Sequence, residues 1–281
     1  MWRRASPAHS PENHPAVGHV VFRPPDDLSE YVQVLWLGGG LPGPGTVHRE
    51  VIPDGNTDIL VGLSPTDCRI HLFGPATRRA IMATPLETVL FGLRFHPGMA
   101  PVLADVASAD LTDSCVELDG LWGMSRAELG ERLAAAPDRR DAMLFFRDIL
   151  RASPKRHMTT GVCRRASRLA REGAGIVRVG ELARLAGIGR RRLERIFQSD
   201  MGMAPKTFLR LLRLQRAVLG LCDCPAGQAR LACDCGFSDQ AHMVREFRDL
   251  VGKTPIQTAR ILHARLVADE LTPGVAIHDL T

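Results

Sequence analysis

Residues 195–205 read R-I-F-Q-S-D-M-G-M-A-P, and residues 245–255 read R-E-F-R-D-L-V-G-K-T-P. Both fit R-x-F-x4-G-x2-P, fifty residues apart. Upstream of each lies a second shared pattern, Leu182-Ala183 before Gly187-Ile188 and Leu231-Ala232 before Gly236-Phe237. The spacing around the glycine differs by one residue between the copies. A unit written twice limits the folds open to a chain. Here it reads as short helix, glycine turn, longer helix, glycine stop and proline restart.

The unit follows from helix physics. Residues 181–186 form a short helix with Leu182 and Leu185 expected inward, and Gly187 supplies a turn where a side chain would obstruct two crossing helices. The next helix runs from about Arg190 to Met201, with Leu193, Ile196 and Phe197 on one apolar stripe. Arg191, Glu194, Arg195 and Gln198 form the opposite stripe. Gly202 ends this helix, and Pro205 suits the first turn of the next. In the second copy Ser238 is the expected N-cap. Met243, Phe247 and Val251 (or Leu250) face inward, His242, Arg245 and Asp249 outward, and Gln240, Ala241 and Arg248 lie at the flanks. Residues 205–221 read as a connecting helix, with Leu209, Leu212 and Val218 inside and Arg210, Arg213 and Arg216 largely outside. At about 1.5 Å per residue it spans roughly 25 Å, so it can hold two reading helices about one DNA turn apart.

Charge is divided unevenly. Residues 155–267 hold 22 Lys+Arg against 9 Asp+Glu, and the remainder holds 14 against 22. Arginine dominates the basic segment, and its planar fork grips phosphates and guanine edges in a way lysine does not. A basic end on an acidic chain points to a polyanion partner for that end alone. A helix–turn–helix sets its second helix in the major groove, with the N-terminal half on base edges.

The residues that carry these patterns also resemble a known family. E-L-A-R-L-A-G, L-E-R-I-F, G-M-A-P, A-C-D-C-G-F-S-D-Q-A-H and R-E-F-R-D-L-V-G-K-T-P together are similar to the AraC/XylS-type transcription regulators over about residues 160–262. The resemblance implies two helix–turn–helix units joined by a linker helix and bound to double-stranded promoter DNA. Its reading positions fall on Arg190, Arg191, Glu194 and Arg195, then on Gln240, Ala241, His242 and Arg245, with Arg248 beside them. The chain departs from the pattern at Gly189, where a capping Ser is usual, at the run Arg190–Arg192, and at Gln228. Ala241 offers no hydrogen bond, and is suited at most to a thymine methyl.

Residues 18–110 carry short apolar runs broken by Gly and Pro, such as Y-V-Q-V-L-W-L (31–37) and V-L-F-G-L-R-F (89–95). Strands at this spacing predict a β-barrel or sandwich. Residues 121–150 read as two helices, and Ser153-Pro154 marks a boundary. V-I-P-D-G-N-T-D (51–58), F-G-P-A-T (73–77) and G-L-R-F-H-P-G (92–98) resemble the N-terminal domain of some AraC-like proteins, which implies a cupin-like effector or dimerisation domain. The expected chain is therefore α+β, a β-barrel/cupin-like domain with a helical extension followed by an all-α double helix–turn–helix domain. The expected boundaries are a disordered tail at 1–17, a sensor or dimerisation domain at 18–152, the DNA-binding domain at 160–263 and a tail at 264–281. Expected partners are promoter DNA, a small-molecule effector, RNA polymerase and a second copy of the chain.

Other chemistries have weaker signatures. His48, Glu50, His71 and His96 are potential ligands, but cupin-type centres want H-x-H on one strand and none occurs. No metal or other cofactor and no catalytic residue are assigned; Asp54 reads as a turn former, with contact to a ligand as the alternative. A repair-type enzyme would need an activated cysteine outside the helical units, and Cys68 and Cys115 have no nearby His. A scaffold without DNA is the third reading. The N-terminal residues lack an apolar stretch and no run is long enough to span a membrane, so the seven cysteines are expected as reduced thiols in the cytoplasm. Four of them, Cys222, Cys224, Cys233 and Cys235, form two C-x-C pairs. Packing, a thiol switch and zinc all remain open for these, although residues two apart on a helix diverge by about 200°.

Overall fold

The computed structural model describes residues 2–4, 20–100, 108–152, 160–223, 227–261 and 278–279. The N-terminal part is built on strands β1 (Trp2–Arg4), β2 (Val20–Arg23), β3 (Val32–Gly39), β4 (Thr46–Val51), β5 (Thr57–Leu63), β6 (Cys68–Phe73), β7 (Ala80–Pro85) and β8 (Val89–Phe95). A short helix α1 (Ser108–Leu111), strands β9 (Cys115–Leu118), β10 (Gly120–Leu121) and β11 (Met124–Ser125), and helices α2 (Arg126–Ala134) and α3 (Arg139–Arg151) follow. With β12 (His278–Asp279), seven strands form one sheet in the order β12-β2-β3-β8-β5-β6-β9. A second sheet has the order β1-β7-β4.

Period-two alternation explains the large sheet. Leu35 pairs with Leu93 and Leu93 with Ile59; Leu37 pairs with Phe91 and Phe91 with Val61. Ile59 and Val61 then meet Leu72 and Ile70. These side chains share one buried face, against Leu129 and Leu133 of α2 and Met143, Phe146 and Leu150 of α3. Each large side chain buried there contributes about 1.5–3 kcal/mol. On the other face Trp36 lies across Gly92, its register partner, and a Cβ on Gly92 would come within 1.9 Å of the indole. Ser125 caps α2 and Asp138 caps α3 through side-chain bonds to the third residue on.

The C-terminal part is helical: α4 (Gly161–Glu172), α5 (Val179–Leu185), α6 (Arg190–Met201), α7 (Pro205–Asp223), α8 (Gln228–Asp234) and α9 (Gln240–Val251). Residues 255–261 are helical as well. Its core joins Leu182, Leu193, Phe197, Phe208, Leu212, Met243 and Phe247, with Phe197 and Phe208 rings 5.9 Å apart. No helix among the described residues is long and apolar enough to cross a membrane.

Several expectations change. Trp2–Arg4 and His278–Asp279 lie in segments read as tails, yet both are strands, antiparallel to β7 and parallel to β2 respectively. Residues 5–17 and most of 264–281 lie outside the described residues. Leu185 is 40% exposed rather than inward, because α5 ends there and Ala186 takes the buried position. Gly187 has open space around its absent Cβ; the turn needs it for its φ of +74°, not for room.

Candidate DNA-binding surface

The two copies adopt the same local geometry. Gly187 and Gly236 both sit in the left-handed region, at φ +74° and +80°. In the first turn the N–H groups of Gly187 and Ile188 donate to the carbonyls of Arg184 and Ala183, each at 3.0 Å. In the second, Gly236 and Phe237 donate to Cys233 and Ala232, each at 2.9 Å. This is one helix-ending motif used twice. Beyond it, Leu193, Phe197 and Met201 of α6 are buried at spacing four, as are Met243, Phe247 and Val251 of α9. Both helices stop at a left-handed glycine, Gly202 at φ +69° and Gly252 at +72°.

The copies differ at their entry. The second turn carries one more residue, and Asp239, not Ser238, is the N-cap of α9, its carboxylate accepting from the His242 N–H at 2.6 Å. That bond, together with Ser238, holds the Asp239 carboxyl below its usual range. Gly189, the N-cap of α6, has no side chain to offer, so the first N–H groups of α6 take no side-chain cap.

The expected reading residues fall on two separate helix faces. On α6, Arg190, Arg191, Arg195 and Gln198 are exposed and Glu194 is half-buried. Arg190 Nε donates to Glu194 Oε1 at 2.9 Å, one turn along. On α9, Gln240, Ala241, Arg245 and Arg248 are exposed and line one open depression with Val244. His242 differs from the rest. Its Nδ1 accepts from the Ser238 N–H at 3.1 Å, and its ring packs edge-on against Phe237 at 5.6 Å. The side chain is thus drawn into the turn instead of projecting from the helix.

Two linker arginines expected outside are structural. Arg210 Nε donates to Glu246 Oε2 at 2.6 Å, and its Nη2 pairs with Asp249, so α7 is tied to α9. Arg213 Nη1 donates to the Gly175 carbonyl at 2.9 Å, and its guanidinium lies over the Phe237 ring. Arg216 is exposed as expected. Helical periodicity locates a polar face, but it does not show that acidic partners on another helix will cover it.

Among the described residues of the two C-x-C pairs, Cys235 is the one buried in the core. Cys235 is buried behind the Gly236 turn and Cys233 is exposed, so they point apart along α8. Cys222 is half-buried near the Ala259 carbonyl, and Cys224 lies outside the described residues. Burial pushes the thiols of Cys68, Cys163 and Cys235 up, the opposite of the shift that activates a nucleophile. Among the described residues no cluster of three or more His, Cys, Asp or Glu side chains could hold a metal ion. His48 is exposed, Glu50 is buried beside Arg79, and burial lowers His71 and His96.

The chain is similar to known proteins over both parts. A helix–turn–helix domain model (HTH_18) matches residues 182–261, and a domain of unknown function (DUF6597) matches residues 20–117. An uncharacterized HTH-type transcriptional regulator of Haemophilus influenzae is 33% identical over 79 residues, 28% of this chain and 26% of the relative. The HTH-type transcriptional regulator ArgR of Pseudomonas aeruginosa is 33% identical over 75 residues, 27% of this chain and 23% of the relative. The match thus spans about a quarter of each curated relative's length. A solved transcriptional regulator with an AraC-type DNA-binding domain from Chromobacterium violaceum is 25% identical, at TM-score 0.33, over 40% of this chain and 95% of its own.

Proposed function

We propose that this chain is, through residues 182–261, a helix–turn–helix regulator of the AraC type, and that it controls transcription by setting α6 and α9 into successive major grooves of promoter DNA. The observation that carries this reading is the shared geometry of the two units, a left-handed glycine turn followed by a helix that exposes a polar stripe opposite its buried one. In this reading Arg195 and Arg245 donate in pairs to guanine edges, Gln240 pairs with adenine, and Ala241 contacts a thymine methyl. Glu194, oriented by Arg190, accepts from a cytosine amine. Arg191 and Arg248 bind phosphates. His242 shapes the turn that presents α9.

The same reading gives the N-terminal domain the role of effector sensing, with RNA polymerase and a second copy of the chain as further partners. Its contacts with several helices of the DNA-binding half support that role. The test is enrichment of duplexes from a random-sequence pool by the full chain, followed by titration of the enriched duplex at rising salt. We expect one sequence class, and an affinity falling by about 0.9 logarithmic units per logarithmic unit of salt for each phosphate contacted. Failure to enrich any sequence, or affinity indifferent to salt, would refute it.

A further inference from the structure

The N-terminal domain grips both reading helices at the same end. The carbonyl of Gly202, which closes α6, accepts from Thr112 Oγ1 at 3.0 Å. The backbones approach so closely there that a Cβ on Gly202 would come within 2.4 Å of the Ser108 carbonyl oxygen. In the second copy, the Leu250 carbonyl in the last turn of α9 accepts from the Arg79 N–H at 3.1 Å. Just beyond α9, Lys253 Nζ lies 4.0 Å from the buried carboxylate of Glu50, which also pairs with Arg79 Nε.

The helix between them is held too. Gln215 Nε2 on α7 donates to the Asp54 carbonyl at 3.0 Å. The neighbouring Gly55 sits against Leu211, Met203 and Phe208, so a Cβ there would be 3.3 Å from Leu211 Cδ1. That turn is braced from behind. Asp54 Oδ1 accepts from the Asn56 N–H at 3.0 Å, and Asp54 Oδ2 pairs with Arg94 Nη1 at 2.8 Å. Arg94 in turn forks onto Asp58 at 2.9 and 2.7 Å. Burial works against the Arg94 charge, but Asp54 and Asp58 outweigh it and keep the guanidinium protonated.

Three segments of one domain thus reach α6, α7 and α9 of the other. The contacts to α6 and α9 lie at the C-terminal ends, whereas Arg190, Arg191, Gln240 and Ala241 stand exposed at the N-terminal ends. The grip therefore leaves the N-terminal ends of both helices uncovered. We infer that the N-terminal domain is a splint that sets the separation and rotation of α6 and α9, and hence the base-pair spacing between the two subsites read. Thr112, Arg79 and Asp54 are its positioning residues. This inference rests on the DNA reading proposed above.

One inserted base pair moves a subsite by about 3.4 Å and turns it by about 34–36°, so a splinted chain cannot follow it. The experiment uses the duplex enriched by the wild-type chain, alongside versions with one base pair added or removed between the two subsites. Wild type is expected to prefer its own spacing by roughly tenfold or more, the scale of a lost base contact. The full-length double variant Thr112→Val, Gln215→Leu is expected to prefer it by about twofold or less, while Thr112→Ser keeps the wild-type preference. Lys253→Met, at a half-buried side chain just beyond α9, makes the same test on α9 should the double variant not fold. Unchanged spacing preference in the variants that fold, or an equal loss on every duplex, would overturn the splint while leaving the DNA reading standing. Failure of wild type to enrich any duplex would overturn the DNA reading, and the splint with it.

Discussion

Arg195 and Arg245 occupy the same position in the two copies, two residues before the buried phenylalanine, and both side chains are exposed. Neither arginine is needed by the core, so truncation tests reading and not folding. Arg195→Ala and Arg245→Ala should each weaken specific binding by about 1–3 kcal/mol with little change in melting temperature, measured by anisotropy titration at fixed salt. Gly202 and Gly252 have nearly equal φ, +69° and +72°, but different surroundings. An alanine at Gly252 meets nothing within 4 Å, so it should cost only the left-handed backbone penalty of about 1–2 kcal/mol. An alanine at Gly202 carries that penalty and also drives its Cβ against Thr112 Oγ1 and the Ser108 carbonyl. Denaturant unfolding should therefore rank Gly202→Ala well below Gly252→Ala; equal stabilities would contradict the close approach.

At the scale of elements, the helices of the reading half were legible because glycine and proline punctuate them. The expected bounds of α6, Arg190 to Met201, are those found, since Gly189, Gly202 and Pro205 leave little choice. Entry into α9 was less legible. Ser238 and Asp239 are both good caps, and the choice is made by the extra turn residue, which puts Asp239 in reach of the His242 N–H. Removing that carboxylate, Asp239→Ala, should lower the melting temperature, and the loss should be matched in wild type only at pH low enough to protonate Asp239. The sign follows from its depressed pKa: the cap stabilises above the unfolded carboxyl value and is lost as pH falls through the folded one. The paired linker arginines and the drawn-in His242 were not legible, because their partners lie on neighbouring elements or across the turn. The turn at Asp54 was expected, but its use as a contact to α7 was not, since nothing in P-D-G-N names a partner 161 residues away.

At the scale of the molecule, the two halves meet through buried polar contacts as well as apolar ones. Ser167 of α4, fully buried, donates to the Pro97 carbonyl at 3.2 Å. Beside it, burial and the Arg171 charge push His96 down to about 4. An imidazole held below its ordinary value of 6.5 is neutral when folded. It therefore contributes stability present above about pH 6.5 that is lost as pH falls towards 4, where folding would force a cation against Arg171. Thermal unfolding should show a loss of stability across that window, and His96→Gln should reduce the loss; an unaltered pH profile in the variant would show that His96 is not its source.

On the proposed reading, one chain reads two major-groove segments on one face of a duplex. Hydroxyl-radical footprinting of the full chain on its enriched duplex tests this most directly. Two protected patches about one helical turn, 10–10.5 base pairs, apart are expected. Arg195→Ala should weaken one patch and Arg245→Ala the other. A single protected patch, or both substitutions acting on the same patch, would contradict it.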